Sequence, residues 1–279
     1  MQAGSPFQCG RRVRGYVLGW TQTEVFGFFP LNNALVYGRE RLGTNCGAAS
    51  PHAVAVVTDN EAESAYWMGL NNFFSFAGSV QEMECELRDY VFNDINQQQR
   101  VKFQARANSK FSEVWFFYCS ALSAEIDRAV VYDYARQTWT KANVARTCWL
   151  DRGIFALPIA IAADGTVYQH EIGATANGAA MASFVVSHPI TVGEGQQFAD
   201  IDGFWPDMQE GSSACTVSFL TRDSAGGAQT IYGPYNFAIG DEKVDLAISC
   251  RQFQVKIAGV AGHWEVGRPL ISRQGGSLR

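Results

Sequence analysis

The run Glu113-Val114-Trp115-Phe116-Phe117-Tyr118 decides the fold, together with the polar stretch Ser120 to Asp127 and Arg128-Ala129-Val130-Val131-Tyr132-Asp133-Tyr134. Aromatic and β-branched side chains crowd the first and last of these segments, and such residues fit a half-buried pleated surface. The polar stretch between them is a turn. Arg136-Gln137 turns again into Thr138-Trp139-Thr140, so the segment predicts an antiparallel meander.

Working outward, the same grammar recurs. Upstream, Val54-Ala55-Val56-Val57, the turn Asp59-Asn60-Glu61, Ala65-Tyr66-Trp67-Met68-Gly69, the loop Leu70-Asn71-Asn72 and Phe73-Phe74-Ser75-Phe76 form a hairpin closed by Ala77-Gly78. Downstream, Pro158 to Ala162 and Thr166 to Glu171 flank the tight turn Asp164-Gly165, and Gly173 ends the unit. A degenerate copy at the start comprises Tyr16 to Trp20, Thr23 to Phe29 before Pro30, a turn at Asn32-Asn33, and Ala34 to Gly38. Units at roughly 35–50 residue spacing mark solenoids or propellers, because one small sheet cannot bury both faces alone. The expected fold is all-β: propeller-like stacked antiparallel sheets over 1–173, then a C-terminal β-sandwich module over 174–279. An ordinary sandwich with chance likeness between hairpins is the competing reading.

Three local expectations complete the outline. Asp89 to Ala107 lacks glycine and tolerates helix, so one short helical insert is expected near 94–106, capped by Asp94. Gly173 to Ala180 reads as a flexible linker. Beyond it, strands are expected at Ser183–Ser187, Phe198–Trp205, Ala214–Thr221, Ala228–Tyr232, Lys243–Ser249 and Gln252–Ala258, with Asp223 to Gly227 and Gly259 to Gly262 as turns and a loose tail over Arg273–Arg279.

Composition narrows the function classes. Charged residues are 18% and aromatics 13%, a balance that favours strands and also subunit interfaces, which lose charge and gain aromatics. Net charge is −5, and Arg11, Arg12 and Arg14 form the densest basic cluster, so no tight grip on a phosphate backbone is expected. The seven cysteines (Cys9, Cys46, Cys85, Cys119, Cys148, Cys215, Cys250) are widely spaced without a CxxC, which reads as free thiols of a reducing compartment. The N-terminus shows no signal-peptide pattern, and the longest apolar run, Phe155 to Ala163, contains Pro158 and is too short to span a membrane.

No catalytic, cofactor-binding or metal site is expected. His52, His170, His188 and His263 are isolated from the cysteines, except that His52 lies near Cys46 in sequence. No phosphate-binding GxxxxGK[ST] or GxSxG elbow occurs. Asp127, Asp133, Asp151, Glu113 and Glu171 are acid–base candidates by type only. Glu113 and Arg128 are expected to form a structural salt bridge, and His170 to be structural. Asp164-Gly165 is read as a hairpin turn rather than a calcium loop. Trp67, Trp115 and Trp139, at comparable places in their repeats, read as sheet-packing residues ahead of a sugar-stacking platform.

Several segments, taken in order, resemble the tail nozzle and packaged-DNA stabilisation proteins of short-tailed bacteriophages. They are Gly43-Thr44-Asn45-Cys46-Gly47, Tyr66 to Gly69 with Phe74 to Gly78, Cys85 followed by Asp89 to Asn96, Phe111 to Tyr118 continuing through Glu125 to Arg128 and Val131 to Tyr134 to Trp139, Ala145 to Gly153, and Asp164 to Glu171. The similarity runs from about Gly19 to Gly267-Arg268-Pro269. The resemblance implies a virion structural protein assembled in the host cytoplasm. It would be a tail nozzle or hub subunit in a ring, a homohexamer, that continues the DNA channel and retains the packaged genome. Implied partners are the tail adaptor ring, tail fibres or spikes, and genomic DNA passing without sequence-specific contact. Two rivals remain open: a propeller-type glycan-binding or glycan-hydrolysing tail protein, and a monomeric propeller adaptor.

Overall fold

The computed structural model describes residues 5–31, 36–59, 62–181, 183–191, 197–211, 214–224, 226–260 and 262–275. The chain divides into two compact units, Met1–Glu171 and Ile172–Arg279. The predicted turns at Asn32-Asn33 and Asn60-Glu61 fall outside the described residues.

The first unit is a series of antiparallel meanders. Sheet 1 is β1 (Phe7–Val13), β2 (Tyr16–Thr21), β3 (Glu24–Pro30) and β4 (Tyr37–Thr44); sheet 2 is β5 (Val54–Asp59), β6 (Ala62–Met68), β7 (Phe73–Phe76) and β8 (Val80–Glu82). Sheet 3 is β9 (Gln104–Asn108), β10 (Glu113–Tyr118), β11 (Arg128–Asp133) and β12 (Thr138–Ala142); sheet 4 is β13 (Cys148–Leu150), β14 (Ile159–Ile161) and β15 (Val167–Gln169).

Period-2 alternation explains how the sheets stack. Along sheet 2, Val54, Ala65, Trp67, Phe74 and Phe76 turn one way and join Cys9, Leu18, Trp20 and Val25 of sheet 1 in one core. Ala55, Val57, Met68 and Phe73 turn the other way, into a second core with Phe116 and Val130 of sheet 3. Phe73 meets Phe116 at 4.9 Å and Trp139 at 4.8 Å between ring centroids. Trp115 meets Trp149 of sheet 4 at 5.2 Å. The order is therefore sheet 1, 2, 3, 4, the propeller-like stack expected of sheets that cannot bury both faces alone. Trp67 and Trp115 both lie on second strands, whereas Trp139 lies on a fourth strand, so the three are not equivalent.

The helical insert differs from expectation. Its pieces are α1 (Arg88–Phe92) and a 3₁₀ turn (Gln97–Lys102), and residues 104–108 are a strand. Asp94 does not cap. The side chain of Asn96 accepts from the Gln98 N–H at 3.1 Å, while Asp94 is engaged by Arg128. Gln104-Ala105-Arg106-Ala107 has no helix breaker. Its neighbours decide its state, because the Ala105 N–H donates to the His52 carbonyl at 2.9 Å and β9 pairs with β10.

The second unit opens with β16 (Thr175–Ala176) and β17 (Ala179–Ala180). The stretch read as a linker is thus a small hairpin, turned by Asn177 (φ 51°) and Gly178 (φ 84°), the left-handed pair that a two-residue turn needs. Then come β18 (Ser183–Val186), β19 (Ile190–Thr191), β20 (Ala199–Trp205), β21 (Met208–Gly211), β22 (Cys215–Arg222), β23 (Thr230–Phe237), β24 (Val244–Cys250), β25 (Gln252–Gly259), β26 (Trp264–Val266) and β27 (Leu270–Gly275). A sheet ordered β18-β25-β22-β23, with β19 also on β25, faces a sheet ordered β24-β20-β27. Phe204, Ile248 and Cys250 pack with Val217, Phe219, Phe253 and Ile257 in a sandwich core. Residues 273–275, expected to be loose, belong to β27, whose pairing with β20 holds them.

Candidate functional site

The two inner sheets of the stack bury both faces; the two end sheets bury one. In sheet 4, Cys148 pairs with Ile161 and Ile161 with Val167, while Leu150 pairs with Ile159 and Ile159 with Gln169. Residues opposite one another share a face. The alternate set, Trp149, Ala160 and Tyr168, turns inward, and Trp149 and Ala160 belong to the core. The outer face is therefore Cys148, Leu150, Ile159, Ile161, Val167 and Gln169. Leu150 is 56% exposed and Val167 63%.

Sheet 1 ends the stack the other way. Opposite its buried Leu18 and Trp20 lies a face carrying Arg12, Val17, Phe28 and Arg39 in one register row, and Gly10, Gly19 and Phe26 in the next. Arg39 lies over the Phe26 ring at 5.3 Å. A Cβ on Gly19 would come within 2.9 Å of Phe28 and 3.5 Å of Phe7, so this glycine lets two rings lie against the sheet. This outer face is an aromatic platform with an arginine rim. No described residue of the first unit's cores covers either end face.

The fold gathers some of the acid–base candidates. Asn108, fully buried, donates through Nδ2 to Glu113 Oε2 at 3.0 Å and to Glu171 Oε1 at 3.1 Å. The Trp115 indole also donates to Glu113 Oε2, at 2.9 Å. Burial pushes the Glu113 carboxyl up, its two hydrogen bonds oppose this, and Glu171 and Asp133 add to the rise. Asn108 Oδ1 is buried without a partner among the described residues. Asp133 is held by the N–H groups of Ala135 and Arg136 and by the Arg136 guanidinium. Asp151 accepts from the Ser109 N–H. Asp127 accepts from Ser120. His170 accepts from Arg146 Nε at 2.9 Å and sits 4.7 Å from the Trp149 ring; burial first, then Arg146, lowers it to about 4. Asp164 Oδ1 accepts from the Thr166 N–H in a turn with Gly165 at φ 85°.

The expected Glu113–Arg128 pair does not form. In the β10–β11 register Glu113 faces Asp133, and Arg128 faces Tyr118 at the far end. Five residue steps along the strand separate the two ends, roughly 17 Å. Arg128 instead pairs with Asp94. The roles of Asn108 and Glu171 were not legible beforehand, because Asn108 gains its meaning only from a contact 63 residues away.

Among the described residues, no three or more His, Cys, Asp or Glu side chains converge as metal ligands, and no helix is long and apolar enough to cross a membrane. All seven cysteines are free thiols.

No protein-family model matches the chain, and no curated protein matches it. Among solved structures, an exo-β-1,3-galactanase from Phanerochaete chrysosporium with galactose is 9% identical, with TM-score 0.28, covering 92% of this chain and 79% of the other. The same enzyme with β-1,3-galactotriose gives 12% and 0.25, covering 92% and 65%. The extracellular domain of a one-component system from B. thetaiotaomicron gives 7% and 0.30, covering 98% and 57%. At these TM-scores the likeness carries no argument about chemistry.

Proposed function

We propose that this protein is a structural subunit that assembles with copies of itself, in a ring of the kind implied by its resemblance to phage tail nozzle proteins, and that it makes and breaks no bond. The observation that carries the reading is the pair of uncovered end faces on the sheet stack. One is aliphatic and neutral, the other aromatic with arginines at its edge. Because they differ, the contact that covers both is head-to-tail: sheet 4 of one copy on sheet 1 of the next. A heterologous contact closes into a ring when its rotation permits. Each junction would repeat what the chain already does between its own sheets. Low charge and abundant aromatics suit such junctions.

Light scattering on the purified protein across a concentration series, with negative-stain images, tests this. Closed rings are expected from the wild type. Val167→Arg places a charge on the aliphatic face and is expected to yield monomer with unaltered thermal unfolding, because Val167 contributes little to the core. A wild type that stays monomeric at every concentration would refute self-assembly, and rings unaffected by Val167→Arg would refute this interface. The alternative, a glycan-binding or glycan-hydrolysing protein, would rely on Glu113 and Glu171, and predicts a hydrolysis product that disappears in Glu113→Gln.

A further inference from the structure

The first strands of sheets 2, 3 and 4 line up. His52, just ahead of β5, bridges in parallel to Gln104 of β9. Gln104 Nε2 in turn donates to the Arg146 carbonyl ahead of β13, at 3.1 Å. A cavity of about 380 Å³ opens along this line, walled by His52, Lys102, Gln104, Arg106, Glu125 and Cys148, with buried Ile126 beneath.

Its charge is unbalanced. Glu125, the only carboxylate among the described residues of the wall, is taken by the Lys102 ammonium, which also donates to the Ala124 carbonyl at 2.7 Å. Arg106 has no ion pair among the described residues. Its Nε donates to Gln104 Oε1 at 3.2 Å, the guanidinium's one hydrogen bond among them. Gln104 is 3% exposed and uses both ends of its amide, so it fixes the guanidinium at Nε, and neither Nη group of this cavity-lining residue has a hydrogen-bond partner among the described residues. A half-buried guanidinium without a counter-charge is costly, and its planar fork matches two oxygens of one oxyanion. The surroundings carry the same sign. Burial lowers the Arg106 guanidinium, and Arg11 lowers it further against the opposing effect of Cys148. Burial lowers His52 too, with Arg106 and Arg11 adding to the effect. The cavity lies at the small end of the range for small-molecule sites.

We infer that this cavity binds a phosphate-type oxyanion through the Arg106 Nη groups, with Gln104 as the positioning residue and Lys102 and His52 at the rim. The shared chemistry is a tetrahedral oxyanion; a free phosphate monoester and a nucleic-acid backbone are its two sources. The inference does not rest on self-assembly.

Isothermal titration of the full chain with sulfate, with a phosphate monoester and with a short single-stranded oligonucleotide tests it, at constant ionic strength. Saturable binding of sulfate is expected, weakened at least tenfold by Arg106→Gln and also weakened by Gln104→Leu, while Arg136→Gln, outside the cavity, leaves it unchanged. Proton NMR of the four histidines gives a second readout. The charged groups of the wall are Lys102, Arg106 and Glu125, with the Cys148 thiol beside them, and Arg11 acts on His52 and Arg106 from outside it. A bound sulfate adds negative charge beside His52, so the His52 midpoint rises, and by linkage sulfate binds more tightly as pH falls through that midpoint. Monoester binding at least as tight as that of the oligonucleotide assigns a small ligand, and markedly tighter oligonucleotide binding that Arg106→Gln abolishes assigns a backbone phosphate. Failure of every probe to bind the folded wild type would overturn the inference. So would binding indifferent to Arg106→Gln with a fixed His52 midpoint.

Discussion

Asn108→Asp should turn the Asn108–Glu113–Glu171 junction from a clasp into a pH-dependent weak point. The side chains are nearly isosteric, so packing is preserved and only protons change. Asn108 Nδ2 supplies two hydrogen bonds, at 3.0 and 3.1 Å, to two carboxyl groups. Hydrogen bonds to charged groups contribute about 1.5–3 kcal/mol each. Were the introduced acid ionised, a third carboxylate would stand in a fully buried position. It therefore takes up a proton and keeps one of the two bonds. Holding an ordinary Asp protonated at pH 7 costs about 4 kcal/mol, and about 1.4 kcal/mol less for each unit the pH falls. With one bond lost, the penalty is about 5–7 kcal/mol at pH 7 and nearly 3 kcal/mol smaller at pH 5. The sign follows from linkage. The folded-state pKa of the new acid lies above its unfolded value, so its penalty is absent below the unfolded value and grows as pH rises towards the folded one. Urea unfolding followed by tryptophan fluorescence reads it, since Trp115 bonds Glu113 directly. Asn108→Ala removes both bonds without adding an acid; it should cost about 3–6 kcal/mol with a weaker pH dependence, and it keeps the test open if Asn108→Asp does not fold. A penalty for Asn108→Asp below about 1 kcal/mol at pH 7, or one equal at pH 5 and pH 7, would refute the clasp.

Three further outcomes follow from the same geometry. Trp149→Ala, which removes a 4% exposed ring packed on Trp115 and Phe117 and its bond to the Ala107 carbonyl, should cost about 3–5 kcal/mol and loosen sheet 4, visible as faster amide exchange over β13 to β15. Glu113→Gln should leave stability at pH 8 unchanged or raised, because burial already holds the Glu113 carboxyl above its ordinary value and disfavours its charge; a clear loss in urea unfolding would contradict that. His170, lowered to about 4, favours the fold while neutral, and that contribution is lost as pH falls from its ordinary 6.5 towards 4; His170→Gln should flatten the acid limb of the stability profile over that window.

The hairpins were legible because their signal is local. Val54 to Phe76 alternates between two cores and Glu113 to Tyr134 buries side chains of both faces in one, and aromatic runs broken by polar turns record this directly. What escaped was set by distant partners. Strand β9 follows three glutamines and a Val-Lys pair that suit a helix equally well, and only its contacts with His52 and β10 make it a strand. The segment 173–180 is rich in small residues, as a linker is, yet Asn177-Gly178 carries the left-handed angles of a hairpin turn. Of the candidate site, the carboxylates were visible as types. Their grouping was not, because register decides which faces which, and that register separates Glu113 from Arg128. Arg106 gave no signal at all; nothing in Ala105-Arg106-Ala107 tells a solvated arginine from one oriented by a buried amide.

The end faces are better understood against the way this same chain writes a surface meant for water. In β24 the buried residues Leu246, Ile248 and Cys250 alternate with exposed Asp245, Ala247 and Ser249, and in β20 exposed Asp200 and Asp202 flank buried Ile201. That is the hydrophobic-in, polar-out pattern of a sheet with one wet face. Sheet 4 departs from it. Between the buried Trp149 and Ala160, its outward positions are Cys148, Leu150, Ile159, Ile161 and Val167, with Gln169 the one polar side chain among them. The loop joining β13 to β14 adds Ile154, 100% exposed, and Phe155. Sheet 1 departs differently, giving up a side chain at Gly19 so that Phe7 and Phe28 can lie on its outer surface. Scattered exposed apolar residues are ordinary, but contiguous ones on two specific faces mark contact surfaces. The sandwich shows that water-facing strands are within this sequence's means, so the apolar ends of the stack are what the proposed self-assembly requires, in which the next sheet in the series would cover them.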